Sequence, residues 1–409
     1  SHRRMTPIFE DEVQSLPLSS LESLPPLSVR KKRLPDGKSS SYMARQLSGT
    51  LLRAMKQIDY VASGHAAAGA ATDMLVQTED LLFSDDSDED FDPDDSLATP
   101  TGPGSVSRQR KSLILKMLDP SEHDAYCRLN NQYADDVMTQ FIPRFDGVVE
   151  SLSSNGDCVR FIRLSNLLNS SQSPKVMDVK IGTQTFLESE CSNQALRADL
   201  YDRMLQMFPD DVTEQDRVNA AITKHRWMSL RDAASTTSGF GFRIDGITGY
   251  PDCTKEQVQE ELQKVRDMSG ALRVFRTFIE KAASDGGRAA PGVNRADLAS
   301  KIHKRMCELR DAMLKSRFVA DHEFIGTSLL LIADAHGFSD VSWIDFAKMR
   351  PLPDGVRVSH RDGWVLGNHE DGIFTGINNM ILVLGELTSK LRQADIADRV
   401  SSCCPFLPC

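Results

Sequence analysis

No apolar run in this sequence approaches the ~18 residues that a membrane-crossing helix needs, so no segment is expected to span a bilayer. Cysteine is sparse, and its 8 copies form no CxxC pair and no metal-ligand spacing, which fits a reducing compartment. The N-terminal stretch is polar and basic with no apolar core behind it, and is not expected to act as a secretory signal. No basic stripe interleaved with aromatics occurs, which argues against a nucleic-acid partner.

What is present is ordinary for a globular protein: 40% apolar and 26% charged residues over 409 positions, long enough for two packed lobes with extensions. The formal net charge of −10 is concentrated in one place. Glu79 to Asp95 carries ten acids and no base, so the remainder is about neutral and can hold a basic pocket.

Residues 1–50 are rich in Ser, Pro and Arg and are expected to form a flexible leader. Within it Arg30-Lys31-Lys32-Arg33 could be a nuclear signal, although such clusters are common in solvated tails. Residues 51–71 could begin the first lobe, and 72–108 are expected to be a disordered acidic insertion. A small sheet-plus-helix lobe is expected over 109–170, with strands at Leu113–Lys116, Gly147–Val149 and Val159–Leu168 and a helix from Glu122 to Phe141. A larger mixed lobe over 171–395 should begin with a strand from Pro174 to Gly182. Helices follow at Leu196–Met207, Gln215–Ala234, Glu256–Ala282 and Arg295–Phe318, then strands at Phe324–Ala333 and Val341–Phe346 and a helix at Thr375–Ala394. Strands and helices segregate instead of alternating, so the class is α+β. A cysteine-containing tail, 396–409, closes the chain.

Four stretches carry chemistry. In Pro174–Gly182 (PKVMDVKIG), strand alternation puts Asp178 and Lys180 on one face and Met177, Val179 and Ile181 on the other. A carboxylate and an ammonium side by side suit phosphoryl transfer, the first orienting the attacking hydroxyl and the second neutralising charge on the phosphoryl group. A surface ion pair is the alternative. Asp345, wedged among bulky apolar residues in Trp343-Ile344-Asp345-Phe346, suits a Mg²⁺ ligand or a turn cap. Lys116, ending an apolar strand, could reach nucleotide phosphates or simply snorkel at a sheet edge. In Thr223–Arg231, helical spacing stacks Lys224 and Arg231 on one face with Arg226 flanking, a set suited to a multiply phosphorylated ligand or to a solvated face.

The pattern PxxxDxKxG at Pro174–Gly182, Gly326-Thr327-Ser328-Leu329-Leu330 and Ile344-Asp345-Phe346 together resemble the three signatures of the inositol polyphosphate kinase family. The resemblance covers Ser112 to Glu386 and is nearest to the branch acting on inositol trisphosphate, because the segment from Leu196 to Arg231 is long. It implies a two-lobed kinase-like fold with an inserted helical substrate segment, 196–236. The implied reaction is ATP-dependent phosphorylation of the 3-hydroxyl of inositol 1,4,5-trisphosphate with Mg²⁺; a broader inositol polyphosphate kinase is the alternative. By resemblance, Asp178 and Lys180 sit at the reacting hydroxyl. Lys116, Ser165, Asn166, Leu167 and Asp345 hold the nucleotide, and Asp345 and Ser328 serve the metal. Lys180, Arg197, Lys224, His225, Arg226, Trp227, Met228, Arg231 and Lys348 receive the inositol phosphates.

Three positions depart from the family pattern: Asn166 replaces an acid, Thr248 a lysine and His369 an arginine. Relatives bind calmodulin through the helix matching Leu196 to Phe208. Here Arg197 and Arg203 are balanced by Asp199 and Asp202, so binding is expected to be weak or absent. The implied location is cytoplasmic. Cys403 and Cys404 could carry acyl chains that attach the protein to a membrane, an inert terminus being the commoner case.

Overall fold

The computed structural model describes residues 55–57, 74–77, 113–152, 158–248, 255–285, 288–289 and 292–403. All belong to one compact unit, Gln46–Cys409. The leader, the acidic tract Glu79–Asp95 and Cys404 lie outside the described residues.

Two antiparallel sheets organise the fold. The first has five strands in the order Met55–Gln57, Met74–Gln77, Leu113–Met117, Cys158–Ser165 and Phe145–Leu152. The strand Met74–Gln77 corrects the expectation that order is absent from 72 to 108. It pairs Met74 with Lys116, so the acidic tract lies in the connection between two adjacent strands. The helix Pro120–Asn131 follows the strand Leu113–Met117. Asp119 caps it by accepting from the Ser121 and Glu122 amides, worth about 1 kcal/mol, and Pro120 fills the first turn, where its missing N–H costs nothing. The helix ends at Asn131, short of the expected Phe141. Asp136 then accepts from Met138 N and starts a separate 3₁₀ turn, Val137–Gln140.

The second sheet has four strands in the order Ser339–Ile344, Ser328–Ala333, Lys175–Ile181 and Phe242–Ile247. Lys175–Ile181 is central, and Met177, Val179 and Ile181 join the main core as the alternation requires. The strand Phe242–Ile247 is absent from the sequence reading because Arg243 and Asp245 interrupt its apolar pattern; Arg243 Nε donates to Asp245 Oδ1 at 2.7 Å, so the charges enter together as a pair. Helices Met268–Ala282, Arg295–Met313 and Ile373–Cys403 pack behind this sheet, burying Phe275, Phe278, Ile302, Met306, Ile377 and Leu384.

Long expected helices are broken where polar caps compete. Gln215–Ala234 divides into Glu214–Asn219 and Lys224–Ala233, because Ala220 turns left-handed at φ 45° and Ile222–Thr223 pairs with Leu196–Arg197. Glu256–Ala282 divides into Lys255–Gln263 and Met268–Ala282, where Asp267 caps the second helix by accepting from Gly270 N. Arg295–Phe318 ends at Met313, and Ser316 caps a new short helix, Arg317–Ala320. The expected strand Phe324–Ala333 belongs to two sheets, His322–Phe324 and Ser328–Ala333, separated by Gly326 at φ 66°. The last helix starts against Gly241: a Cβ at Gly376 would fall inside the Gly241 carbonyl, so only glycine fits.

Candidate active site

Asp178 lies on the central strand opposite Leu330 on one neighbour and Gly246 on the other. Val176, Leu330 and Ile332 form a small apolar cluster on that side of the sheet. The carboxyl group is 0% exposed, and neither oxygen has a hydrogen-bond partner of ordinary geometry. Burial pushes its proton affinity up to about 7. Lys180 opposes the rise, Asp345 and Asp245 add to it, and Ser328 slightly supports the charged form. A buried acid without a well-formed hydrogen-bond partner can accept from a hydroxyl that reaches it.

Two residues on, Lys180 Nζ donates to Ser328 Oγ at 3.1 Å and to the Gly326 carbonyl at 3.2 Å, and sits 3.7 Å from Asp345 Oδ2. Burial favours neutral lysine, but Asp345, Asp178 and Asp245 outweigh it and keep the ammonium charged. Asp245 stays ionised for the same reason: Arg243 and Lys180 overcome its burial and hold its carboxyl at about 2.

Asp345 follows the strand Ser339–Ile344 in a left-handed conformation, φ 68°. That strained geometry, rare for a non-glycine residue, aims the carboxylate between two lysines. Its Oδ1 accepts from Lys116 Nζ at 2.9 Å, joining the end of the five-stranded sheet to that of the four-stranded one. Lys116 also donates to Glu122 Oε1 at 2.8 Å. Glu122 is 1% exposed and was missed by sequence reasoning; the signal available was an acid in the first turn of the helix following the Lys116 strand. Glu122 and Asp345 overcome the burial that would otherwise neutralise Lys116.

Ser165 ends the strand Cys158–Ser165, and Asn166 and Leu167 follow it out of the five-stranded sheet. Ser165 Oγ accepts from Arg144 N at 2.9 Å, and Leu167 packs against the cluster beside Asp178. Asn166 Oδ1 accepts from Leu168 N at 3.0 Å, closing a local turn.

The expected inositol-phosphate set divides. Lys224 and Lys348 converge on Glu190: Lys224 pairs with its Oε1, and Lys348 Nζ lies 3.3 Å from its Oε2 and 2.7 Å from the Thr185 carbonyl. Arg226 is held by Asp216, its Nη2 lying 2.6 Å from Oδ2. Acids from other elements fold onto them. Arg231 has no ion-pair partner within 4 Å among the described residues and lies near Arg243, Asp245 and Asp232. Arg197 is exposed and paired with Asp199 at 2.6 Å. His225 packs edge-on against Phe186, with ring centroids 4.7 Å apart. Trp227 packs in a core cluster. It is 4% exposed among Leu200, Met204, Phe208, Val212 and Ile222, and Met228 packs against the same cluster.

Two of the departing positions have local tasks. Thr248 Oγ1 accepts from Val176 N at 2.8 Å, and His369 Nδ1 lies 2.8 Å from Glu323 Oε2. In the stretch Gly367–Gly372, Asp371 accepts from Phe324 N and Ile373 N and lies 2.8 Å from His360 Nδ1, so this motif braces the last helix.

The oxygen donors Asp345 and Ser328 fit a hard divalent cation, which commonly takes one or two carboxylates and completes its shell with substrate phosphates. Among the described residues no group of three or more His, Cys, Asp or Glu could hold a metal by itself. No helix of the described residues is long and apolar enough to cross a membrane.

A family model for inositol polyphosphate kinase matches residues 161–385. An inositol-trisphosphate 3-kinase homolog of Caenorhabditis elegans is 34% identical over 257 residues, 62% of this chain and 47% of that protein. Inositol-trisphosphate 3-kinase A of Rattus norvegicus is 33% identical over 282 residues, 68% of this chain and 56% of that protein. The chain thus spans about half the length of these relatives. Among solved structures, inositol phosphate multikinase Ipk2 from S. cerevisiae, in complex with ADP and Mn²⁺, superposes with a TM-score of 0.43. It is 16% identical, over 67% of this chain and 98% of that one.

Proposed function

This chain belongs to the inositol polyphosphate kinase family, and we propose that it transfers the terminal phosphoryl group of ATP to the 3-hydroxyl of inositol 1,4,5-trisphosphate. The observation that carries the reading is the placement of Asp178, buried without a well-formed hydrogen-bond partner, two residues from Lys180, which lies 3.7 Å from Asp345. The family and the relatives' names support the reaction class; the cation set around Lys224, Arg231 and Lys348 supports a multiply phosphorylated acceptor.

The step balances simply. Asp178 accepts or orients the proton of the 3-hydroxyl while its oxygen attacks the γ-phosphorus. The bond to the bridging oxygen breaks and ADP departs, leaving inositol 1,3,4,5-tetrakisphosphate. Lys180 would neutralise charge on the transferring group, and Lys116 would meet the nucleotide phosphates from the other sheet. Asp345 and Ser328 would hold Mg²⁺, which supplies charge neutralisation on the phosphates.

The helices Ala198–Met207 and Lys224–Ala233 pack on a common core around Trp227, making a wall beside the cations. A fixed wall disfavours bulkier ligands, which favours the trisphosphate over a broader substrate range. Incubating the chain with ATP, Mg²⁺ and a panel of inositol phosphates tests the proposal through ADP release. The trisphosphate should give the highest kcat/KM; no release with any member of the panel would overturn the reading.

A further inference from the structure

Resting on that reading, we infer that Glu190 is a built-in counter-ion that sets how much negative charge an inositol phosphate must carry to occupy the site. One carboxylate bridges two of the cations assigned to the ligand: Oε1 pairs with Lys224, at the start of the helix Lys224–Ala233, and Oε2 with Lys348, beyond Asp345. The bridge is fixed in place. Glu190 Oε2 also accepts from Leu187 N at 2.8 Å, capping the short helix Glu188–Cys191, so the side chain cannot swing away without losing that bond. Its side chain is 13% exposed. Burial alone would raise its proton affinity, but Lys224, the Leu187 amide and Lys348 outweigh burial and keep it ionised at neutral pH.

A phosphate arriving at Lys224 and Lys348 therefore meets a resident negative charge. It must take the ammonium groups from Glu190 or bind beside it against repulsion. A ligand with several dianionic phosphates outcompetes one carboxylate; a ligand with fewer phosphates gains too little. Discrimination then comes from a repulsive element placed against the weaker ligand as much as from attraction to the better one.

Glu190→Gln tests this, because the amide oxygen can still accept from Leu187 N and preserve the helix cap. Losing one partly exposed charge contact should lower KM for inositol 1,4,5-trisphosphate about 3–10-fold. The KM, or the Kd by calorimetry, for inositol 1,4-bisphosphate should fall by a larger factor. The gain should shrink in high salt, while KM for ATP stays as in wild type. An unchanged or raised KM for the trisphosphate, or an equal change for ATP, overturns the inference. Wild type is assayed first: activity on no inositol phosphate would remove the functional reading itself, whereas an active wild type with an unimproved variant removes only the role of Glu190.

Discussion

Lys116 Nζ lies 2.9 Å from Asp345 Oδ1, so a lysine on one sheet and an aspartate at the end of the other meet 229 residues apart in sequence. The same ammonium holds Glu122 at 2.8 Å, and the same carboxylate faces Lys180 at 3.7 Å. This alternating chain of charges runs from Glu122 through Lys116 and Asp345 to Lys180, beside Asp178 on the central strand.

Removing Lys116 should damage stability as well as catalysis. Lys116→Ala leaves Glu122 buried without its partner, and breaking such a pair costs about 3–5 kcal/mol. Urea denaturation should show a lowered midpoint with an unchanged slope. Lys116→Ala combined with Glu122→Gln should recover part of the loss.

Activity should depend on the ionisation of Asp178. With its carboxyl near 7, kcat/KM should rise with pH through about 7 and then level, since only the ionised form accepts a proton. The stability sign is opposite. An acid whose folded proton affinity is raised stabilises the fold below its unfolded value of 3.8, and this contribution is lost as pH climbs to about 7. Relative to wild type, Asp178→Asn should therefore gain stability from pH 4 to 7 and remain level above, measured by chemical denaturation.

Arg231 and Trp227, four apart on one helix, should separate cleanly. Arg231→Ala should raise the inositol-phosphate KM about 10–100-fold, the worth of a charge-assisted contact, with little change for ATP. Trp227→Ala empties a core site and should cost about 3–5 kcal/mol of stability. A Trp227→Ala protein with wild-type stability and a raised KM would return that residue to the pocket.

Calcium-loaded calmodulin should not be captured tightly. Of the apolar residues in the matching helix, Leu200, Met204 and Phe208 are buried in the core around Trp227, so they are unavailable as anchors. A pull-down in calcium giving stoichiometric capture would contradict this.

The sequence made the central strand legible because Asp178 and Lys180 interrupt an otherwise apolar alternation, and period 2 then fixes their common face. It made Lys116 and Asp345 visible as single charges at the ends of apolar strands. It could not show Glu190 as a partner, because Glu190 meets Lys224 and Lys348 only after distant elements pack, whereas Glu122 meets Lys116 across the short turn between neighbouring elements. Nor could it show the packing of Trp227, which depends on the helix Ala198–Met207 being laid against it. The broken helices were illegible because Ala220, Asp267 and Ser316 end or cap them through local geometry, which apolar spacing does not report.

The claim that Asp178 serves transfer to one defined hydroxyl is tested most directly by locating the new phosphate. Wild-type chain and Asp178→Asn would be incubated with ATP, Mg²⁺ and inositol 1,4,5-trisphosphate, and the products assigned by two-dimensional ¹H–³¹P NMR. The account predicts a single product phosphorylated at position 3 from wild type, and turnover lowered about 10²–10⁴-fold in a folded Asp178→Asn protein. A phosphate at another position, or near-wild-type turnover by the variant, would contradict it.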